Sequence, residues 1–456
     1  MSTALRKALF VSLIAMSLSA EANHSAWAVS LIRDAEVENT IRTYATPLFR
    51  AAGLKAGDVK IFIVKDNTLN AFVAGGQNLF VNTGLILASD SANQVMGVIA
   101  HETGHISGGH LSRIHDALSK SSAISILSFV LGGAAALATG RGDVGTAVIA
   151  GGQNMAMRNF LAYSRVQESA ADNAGMKFLD ATGTSAKGLL LFLEKLGDQE
   201  LLSSSQQDPY VRTHPLTRER IDALSHFVAN SPNSNKTVSP QVEAMHQRMR
   251  AKLYAFVNPM GRTLRIYKET DNSAPSRYAR SIGLYREGKL DQALALLDTL
   301  IAEAPEDPYY HEMRGQMTFE AARLAEAAES YGRAATILPT NGLIRRELAR
   351  VQLEFNEPRF IEAAITNLEA SLATEREHAF TWRLLATAYG RNGDQGRSSI
   401  ALAEEALINE KPSVATYHSG RALGIFKQGT REWLQAEDIR LAAKEMESRK
   451  KREQQQ

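Results

Sequence analysis

The stretch His101-Glu102-Thr103-Gly104-His105 decides the fold of the first half of this chain. On an α-helix, residues four apart lie almost above one another, so the rings of His101 and His105 can reach one metal ion from the same face. Glu102 then faces the water that the ion would activate. The residues before the motif are largely apolar and carry no break signal, which is typical of a buried helix. The spacing therefore predicts a buried, metal-binding helix.

A catalytic zinc usually takes three protein ligands, so a third donor must come from another part of the chain. A metzincin would have a histidine at position 111, but this residue is Leu111. We interpret His110 as a helix-end or surface histidine, with a metal ligand as the alternative. The alternative is an acid from a second helix, where Glu168 and Asp172 stand four residues apart. One helical face would then carry a ligand and, one turn later, an acid that orients a metal-bound histidine. Two acids at this spacing also occur on ordinary solvated helices.

The motif at 101–105, taken together with the segment Glu-Ser-Ala-Ala-Asp at 168–172, resembles the double signature of the gluzincin peptidases that include the CAAX prenyl protease and HtpX. The resemblance is specific over residues 60–220. It implies an α+β zincin metalloprotease domain, mostly helical with a small sheet, that binds one Zn2+ per chain. The site residues that it implies are His101, His105 and Glu168 as metal ligands, Glu102 as the general base, and Asp172 behind the ligands.

Residues 67–82 read as two short strands around a glycine turn. The first strand resembles the family's Asn-Ala-Phe edge strand, and an edge strand above the metal can hold an extended peptide by main-chain hydrogen bonds. The ordinary alternative is a plain hairpin, and we expect Phe72 and Phe80 to serve its core in either case.

The segment 213–220 resembles the family's Thr-His-Pro element. Pro215 sets a helix start, so His214 is held at a fixed place in the preceding loop. His214 is a candidate catalytic residue that would stabilise the oxyanion of the reaction, or else bind the metal in a resting state. The remaining interpretation is a solvated loop histidine.

The beginning of the chain predicts a signal peptide over residues 1–28. Basic residues precede an apolar run that ends at about Ala20 and is too short to span a bilayer comfortably. Small-residue sites allow cleavage after Ala22 or Ala28, and we favour Ala28. This segment predicts a location in the periplasm, and an uncleaved membrane anchor is the alternative. We expect the protein there to be peripheral to the outer membrane. The chain has no cysteine, so no disulfide or thiol ligand can contribute.

The composition leaves room for two folded domains, with 456 residues of which 44% are hydrophobic and 22% are charged. A net charge of +2 does not indicate the strongly basic surface that nucleic-acid-binding proteins have. The segment 121–157 is apolar and rich in small residues. It barely reaches the length of a membrane span, so we expect a hydrophobic helical hairpin over the site that contacts a membrane surface or a nonpolar client.

The second half repeats with the tetratricopeptide period. Pro305 and Pro339 are 34 residues apart, as are Ala293 and Ala327. About four units fit between residues 275 and 407, with the third irregular around 357–358, and they predict an all-α tetratricopeptide-repeat solenoid. A generic helical domain is the alternative.

These boundaries divide the chain into four parts: a signal peptide (1–28), a zinc metalloprotease domain with a linker helix (29–260), a repeat domain (261–430) and a charged helical tail (431–456). With these additions, the chain resembles the periplasmic members of the family that assist β-barrel assembly. The resemblance implies quality control by peptide hydrolysis. It also implies unfolded or misassembled outer-membrane proteins and the β-barrel assembly machinery as partners of the repeats. The alternative is a chaperone or scaffold in which proteolysis is rare or gated.

Overall fold

The computed structural model describes residues 30–110, 165–197, 210–211, 214 and 216–453. The expected signal peptide at 1–28 and the apolar segment 121–157 lie outside the described residues. Among the helices that are described, none is both long and apolar enough to cross a membrane.

A small sheet lies in the first half of the chain. Its strands are β1 (Leu31–Ile32), β2 (Lys60–Val64), β3 (Ala71–Ala74) and β4 (Asn78–Asn82). The strand order is β1-β2-β4-β3; β2 and β4 are parallel, whereas the other two pairs are antiparallel. β3 and β4 form the predicted hairpin, and Gly75 and Gly76 make its turn with φ angles of 56° and 94°, which side chains with a Cβ rarely adopt. β3 is an edge strand of this sheet.

Eight helices accompany this sheet among the described residues. They are α1 (Ala35–Ala51), α2 (Thr83–Ala88), α3 (Ala92–Ser107), α4 (165–181), α5 (Lys187–Leu196), α6 (Arg218–Asn230), α7 (Pro240–Val257) and α8 (Met260–Ile266). α3 is the predicted motif helix, and its fully buried Val95, Val98 and Ile99 belong to one core cluster with α1, α5 and the inner face of the sheet. The apolar run before the motif is therefore what buries this helix.

The expected core position of Phe72 and Phe80 is wrong. Both rings are only partly buried, and neither belongs to the core cluster, which takes Ala71, Val73, Leu79 and other residues from the inner face. Successive side chains in a strand point to opposite faces, so these two phenylalanines lie on the outer face of the sheet.

The second half is an array of antiparallel helix pairs. The pairs are α9 (Ala274–Arg286) with α10 (Leu290–Glu303), α11 (Pro308–Glu320) with α12 (Leu324–Ile337), α13 (Gly342–Phe355) with α14 (Pro358–Thr374), α15 (Ala379–Arg391) with α16 (Gln395–Ile408), and α17 (Pro412–Ile425) with α18 (Arg431–Glu453). The all-α repeat solenoid is thus confirmed. The third pair is irregular as predicted: Asn356 ends α13 in the left-handed conformation, and α14 has 17 residues where α12 and α16 have 14.

The array continues beyond the four predicted units. α18 packs against α17 and α16, and its Ala436, Ile439 and Ala443 are buried in one cluster with residues of those helices. The first half of this helix is therefore packed, whereas most residues near its basic end are exposed.

A buried ionic cluster joins the sheet-containing half to the first repeats. Lys252 on α7 is 1% exposed, and its Nζ lies 2.7 Å from Asp34 Oδ2, 3.3 Å from Glu36 Oε2 and 3.7 Å from Glu312 Oε2. Arg248, one turn earlier on α7, forms ion pairs with Glu36 and with Asp307, which precedes α11. The two halves are thus connected by paired charges that are withdrawn from water.

Candidate metal centre

Four buried side chains bring their donor atoms together at the end of α3. They are His101, His105, Glu168 and His214, whose donor atoms all lie within 4.8 Å of one another. The Nε2 atoms of His101 and His105 are 3.1 Å apart, and each lies 3.4 Å from an oxygen of Glu168. His214 Nδ1 is 3.1 Å from Glu168 Oε2 and 3.4 Å from His101 Nε2.

Helix packing places the two halves of this cluster side by side. α3 carries the two motif histidines one turn apart on the face that α4 covers, and α4 carries Glu168. The backbones meet at Gly104, where an added Cβ would lie 2.6 Å from the carbonyl oxygen of Ala171. Only glycine permits this close approach, so the glycine of the motif lets the second helix bring its acid to the histidines.

The spacing of the donors fits a metal ion. A tetrahedral zinc site with bonds of about 2.0–2.1 Å has donor atoms about 3.3–3.4 Å apart. Five of the contacts among these donors, at 3.1 to 3.4 Å, match that requirement. Imidazole and carboxylate donors are also the ligand types that bind zinc and related divalent metals.

The protonation of the cluster without metal depends on burial and on the acids. Burial lowers the pKa of His101, but the hydrogen bonds to Asp172 and Glu168 outweigh it and raise the pKa to about 10. For His105, burial prevails and lowers the pKa to about 3. Burial also opposes ionisation of Glu168, yet the surrounding histidines hold its pKa well below the usual range. A metal ion must therefore displace the proton of His101 when it binds.

Glu102 faces the same space from the motif helix. Its side chain is 1% exposed, and Oε1 has no hydrogen-bond partner among the described residues. The ring of His214 lies beside this oxygen, with its Nε2 3.5 Å away. Burial raises the pKa of Glu102, so this carboxylate is a stronger base than one in water.

Asp172 lies behind His101, one helical turn after Glu168. Its Oδ1 is 2.8 Å from His101 Nδ1, which leaves Nε2 of that ring directed at the other donors. Burial by itself would raise the pKa of Asp172, but the hydrogen bonds to His101 and Arg220 outweigh burial and lower this pKa to about 2. Asp172 is therefore ionised and holds the ring orientation of His101.

Arg220 is a site residue that the sequence reasoning missed. Its guanidinium binds both oxygens of Asp172 and lies 3.1 Å from Glu168 Oε2. Thr217 caps α6 by accepting a hydrogen bond from the backbone of Arg220, so the arginine sits in the first turn of that helix. The sequence feature that could have identified Arg220 is its position in the turn that follows His214, after the Thr-His-Pro element.

His110 corrects a second expectation. It is 4% exposed rather than a surface residue, and its Nδ1 lies 3.0 Å from Nδ1 of His105. α3 ends in a turn at Gly108 and Gly109, where Gly109 has a φ of 63°, and this turn brings the imidazole of His110 against that of His105. His110 thus contacts a metal-site histidine on the side away from the other donors.

His214 occupies a buried position, 6% exposed, which excludes the solvated-loop interpretation. The ring of Tyr210 lies beside it, with the two centroids 4.6 Å apart, and Tyr210 is itself fully buried against Phe192. Tyr210 was not among the predicted site residues, because nothing in its local sequence marks it.

The chain is similar in sequence to known peptidases, and part of it is similar to a solved structure. Residues 32–228 match the sequence profile of Peptidase family M48. The β-barrel assembly-enhancing protease of Escherichia coli (strain K12) is 24% identical over 391 residues, which are 82% of this chain and 76% of that protein. The same enzyme of Yersinia pestis is 24% identical over 84% of this chain and 78% of its own length. A solved structure titled "Crystal structure of MamA" aligns with 38% of this chain and 96% of its own, at 18% identity and a TM-score of 0.28.

The family match spans both halves of the donor cluster, and the resemblance inferred from the two motifs is confirmed. The chain therefore carries a domain of peptidase family M48 and is a metalloprotease.

Proposed function

We propose that this chain is a zinc-dependent endopeptidase of the periplasm that removes misassembled outer-membrane proteins. The observation that carries the proposal is the buried cluster of four donors with Glu102 beside it, whose Oε1 has no hydrogen-bond partner among the described residues. The names of the relatives, which assist β-barrel assembly, support the choice of client. The expected signal peptide supports the compartment.

In this proposal His101, His105 and Glu168 hold one zinc ion, and Asp172 orients the first of these histidines. A bound zinc ion supplies a Lewis acid that polarises a carbonyl group and makes water more acidic. Glu102 accepts the proton of the attacking water at Oε1 and passes it to the leaving amine. Burial has already raised the pKa of Glu102, which favours this acceptance.

His214 gates this site in the resting enzyme. Its Nδ1 stands among the donors, and its Nε2 faces Glu102 at 3.5 Å, so one ring occupies the fourth position and the space beside the base. A substrate must move this ring before the peptide bond can approach Glu102. The enzyme is therefore latent until a client is bound, in keeping with a protease that works among unfolded proteins.

The substrate is an extended peptide that pairs with β3. This strand lies at the sheet edge, and its Ala71 and Val73 pack in the same core cluster as residues of α3, the helix that carries the motif. Main-chain hydrogen bonds to an edge strand hold peptides of many sequences, which suits a quality-control enzyme.

The repeats recruit the client or the assembly machinery. A groove of about 1180 Å³ lies between α14, α15, α16 and α18, and its lining includes Leu372, Trp382 and Tyr389. It lies far along the chain from the metal site, and its lining also includes Leu434, which is 51% exposed and offers apolar surface to a protein partner.

The test uses the zinc-loaded protein without residues 1–28, an unfolded outer-membrane β-barrel protein, and an unfolded soluble protein as the control client. We expect fragments of the barrel protein to accumulate, and a chelator to stop their formation. If the barrel protein stays intact but folds faster, the chaperone interpretation replaces this proposal.

A further inference from the structure

Three phenylalanines form a stacked row on the outer face of the sheet. Phe62, Phe80 and Phe72 come from β2, β4 and β3, and they are direct cross-strand neighbours. The ring centroids of each adjacent pair are 4.9 Å apart, with interplanar angles of 17° and 7°. All three are partly exposed, and none belongs to the core cluster of this half. We call this set the phenylalanine row.

Among the described residues, the row ends at β3, the edge strand of the sheet. Asn70 accepts a hydrogen bond from the backbone N–H of Asn82 at 2.9 Å. Antiparallel pairing alternates along the strand, so Phe72 also directs its main-chain groups at β4, whereas Ala71 and Val73 direct theirs away from it. A further strand would bond to those two residues, and its residue opposite Phe72 would place a side chain on the outer face.

Cross-strand neighbours have Cβ atoms about 4.5–5.5 Å apart, and aromatic pairs at this spacing attract one another. A ring on the added strand would stack on Phe72 as Phe72 stacks on Phe80. We propose that Phe72 is a specificity-determining residue that selects an aromatic side chain in the peptide strand paired with β3. This inference rests on the proposed function, because it needs a peptide substrate at the edge strand.

A second observation at the same strand also points to a peptide. Asn70 immediately precedes β3 and is 8% exposed, and its side-chain Oδ1 has no hydrogen-bond partner among the described residues. Buried polar atoms are nearly always paired, so an unpaired acceptor at the start of an edge strand suits a donor from a ligand. An extended peptide brings such N–H donors with it.

The first experiment compares cleavage of a random decapeptide library by zinc-loaded wild type, Phe72→Ala and Phe72→Leu, with the fragments sequenced by mass spectrometry. Phe380→Leu, an exposed phenylalanine of the repeats, is the matched control. We expect wild type and Phe380→Leu to enrich aromatic residues at one position near the cut. In the Phe72 variants this enrichment should fall about two- to tenfold. The cleavage of peptides without an aromatic residue should change little. Equal enrichment in all four proteins would overturn the proposal.

The second experiment does not depend on catalysis. The chain has no cysteine, so Ala74→Cys in a Glu102→Gln background carries a single thiol on β3, on the same face as Phe72, and keeps the Phe72 ring. We expect a thiol reagent to label it readily, and library peptides with an aromatic residue to slow labelling more than their alanine counterparts, a difference that an added Phe72→Ala should remove. A thiol that is shielded in the free protein would show that another part of this chain covers the row, and the proposal would fail. If the library is not cut at all while the thiol is open and aromatic peptides protect it, the peptidase proposal fails and the binding preference stands.

Discussion

Arg220 binds both carboxylate oxygens of Asp172, with Nε 2.6 Å from Oδ2 and Nη2 2.9 Å from Oδ1. Asp172 in turn contacts His101 at 2.8 Å, so the arginine reaches the metal site through one intervening side chain. A third nitrogen of the same guanidinium lies 3.1 Å from Glu168. This arrangement positions a histidine and a carboxylate of the donor cluster with one rigid, planar group.

Arg220→Ala should therefore weaken zinc binding about 10- to 100-fold, because both His101 and Glu168 lose their orientation. Arg220→Lys should recover only part of the loss, since an ammonium group cannot bind both oxygens in the same plane. The affinity is measured by competition with a zinc chelator. Arg218→Ala, on the exposed side of the same helix turn, is the control and should match wild type. Equal affinities in all four proteins would contradict the positioning role.

Substitution of a metal ligand should have a larger effect on zinc binding than substitution of Arg220. The protein without residues 1–28 should contain about one zinc per chain, and His105→Ala or Glu168→Ala should lose it, because removing one of three protein ligands leaves too few. Elemental analysis after gel filtration measures the content. The exposed Glu219→Ala is the control for a lost carboxylate. Full zinc occupancy in both ligand variants would mean that the donors are assigned wrongly.

His214→Ala should raise the basal rate of peptide cleavage, because the ring no longer occupies the space beside Glu102. Cleavage of a short fluorogenic peptide without client measures this rate. The exposed His226→Ala on α6 is the control. A fall of about 10²-fold with unchanged zinc content would instead assign His214 to oxyanion stabilisation. An unchanged rate would exclude both roles.

The metal-site residues of the two motifs could be predicted because residues close together in the sequence define each motif. Helical periodicity alone puts His101 and His105 on one face, and the same rule relates Glu168 to Asp172. Arg220, Tyr210 and the buried position of His110 depend on how separate segments pack, which no local spacing shows.

The same limit explains the outer face of the sheet and the ionic cluster. Alternation predicts that Phe72 and Phe80 share a face, but only the packing of the sheet on α1 and α3 decides which face is the core. Lys252 and Glu36 look like surface charges in the sequence. The docking of α7 between the two halves buries them, together with their partners.

The ionic cluster predicts a pH dependence of stability. Four acids surround two cations: Asp34, Glu36, Asp307 and Glu312 lie around Arg248 and Lys252. Burial and the neighbouring carboxylates raise the pKa of Glu312 to about 8, although Lys252 opposes the shift. The folded state therefore holds a proton that the unfolded state releases near pH 4.5, and the stability associated with that proton is lost as the pH rises through about 8.

Between pH 6 and pH 9, the free energy of unfolding should fall by about 3 kcal/mol through this group. Urea unfolding at the two pH values measures the change, and Glu312→Gln should reduce it because the amide stays neutral. Glu306→Gln, an exposed residue nearby in the sequence, is the control and should behave as wild type. An equal pH dependence in the Glu312 variant would show that this carboxyl is not the titrating group.

The most direct test of the central claim compares zinc-loaded wild type with zinc-loaded Glu102→Gln. The measurement is the rate at which each protein cleaves an unfolded outer-membrane β-barrel protein, with zinc content and client binding determined on the same samples. The account predicts equal zinc and equal binding but no fragments from the variant, because an amide cannot accept the proton of the attacking water. Cleavage by Glu102→Gln at the wild-type rate would contradict it.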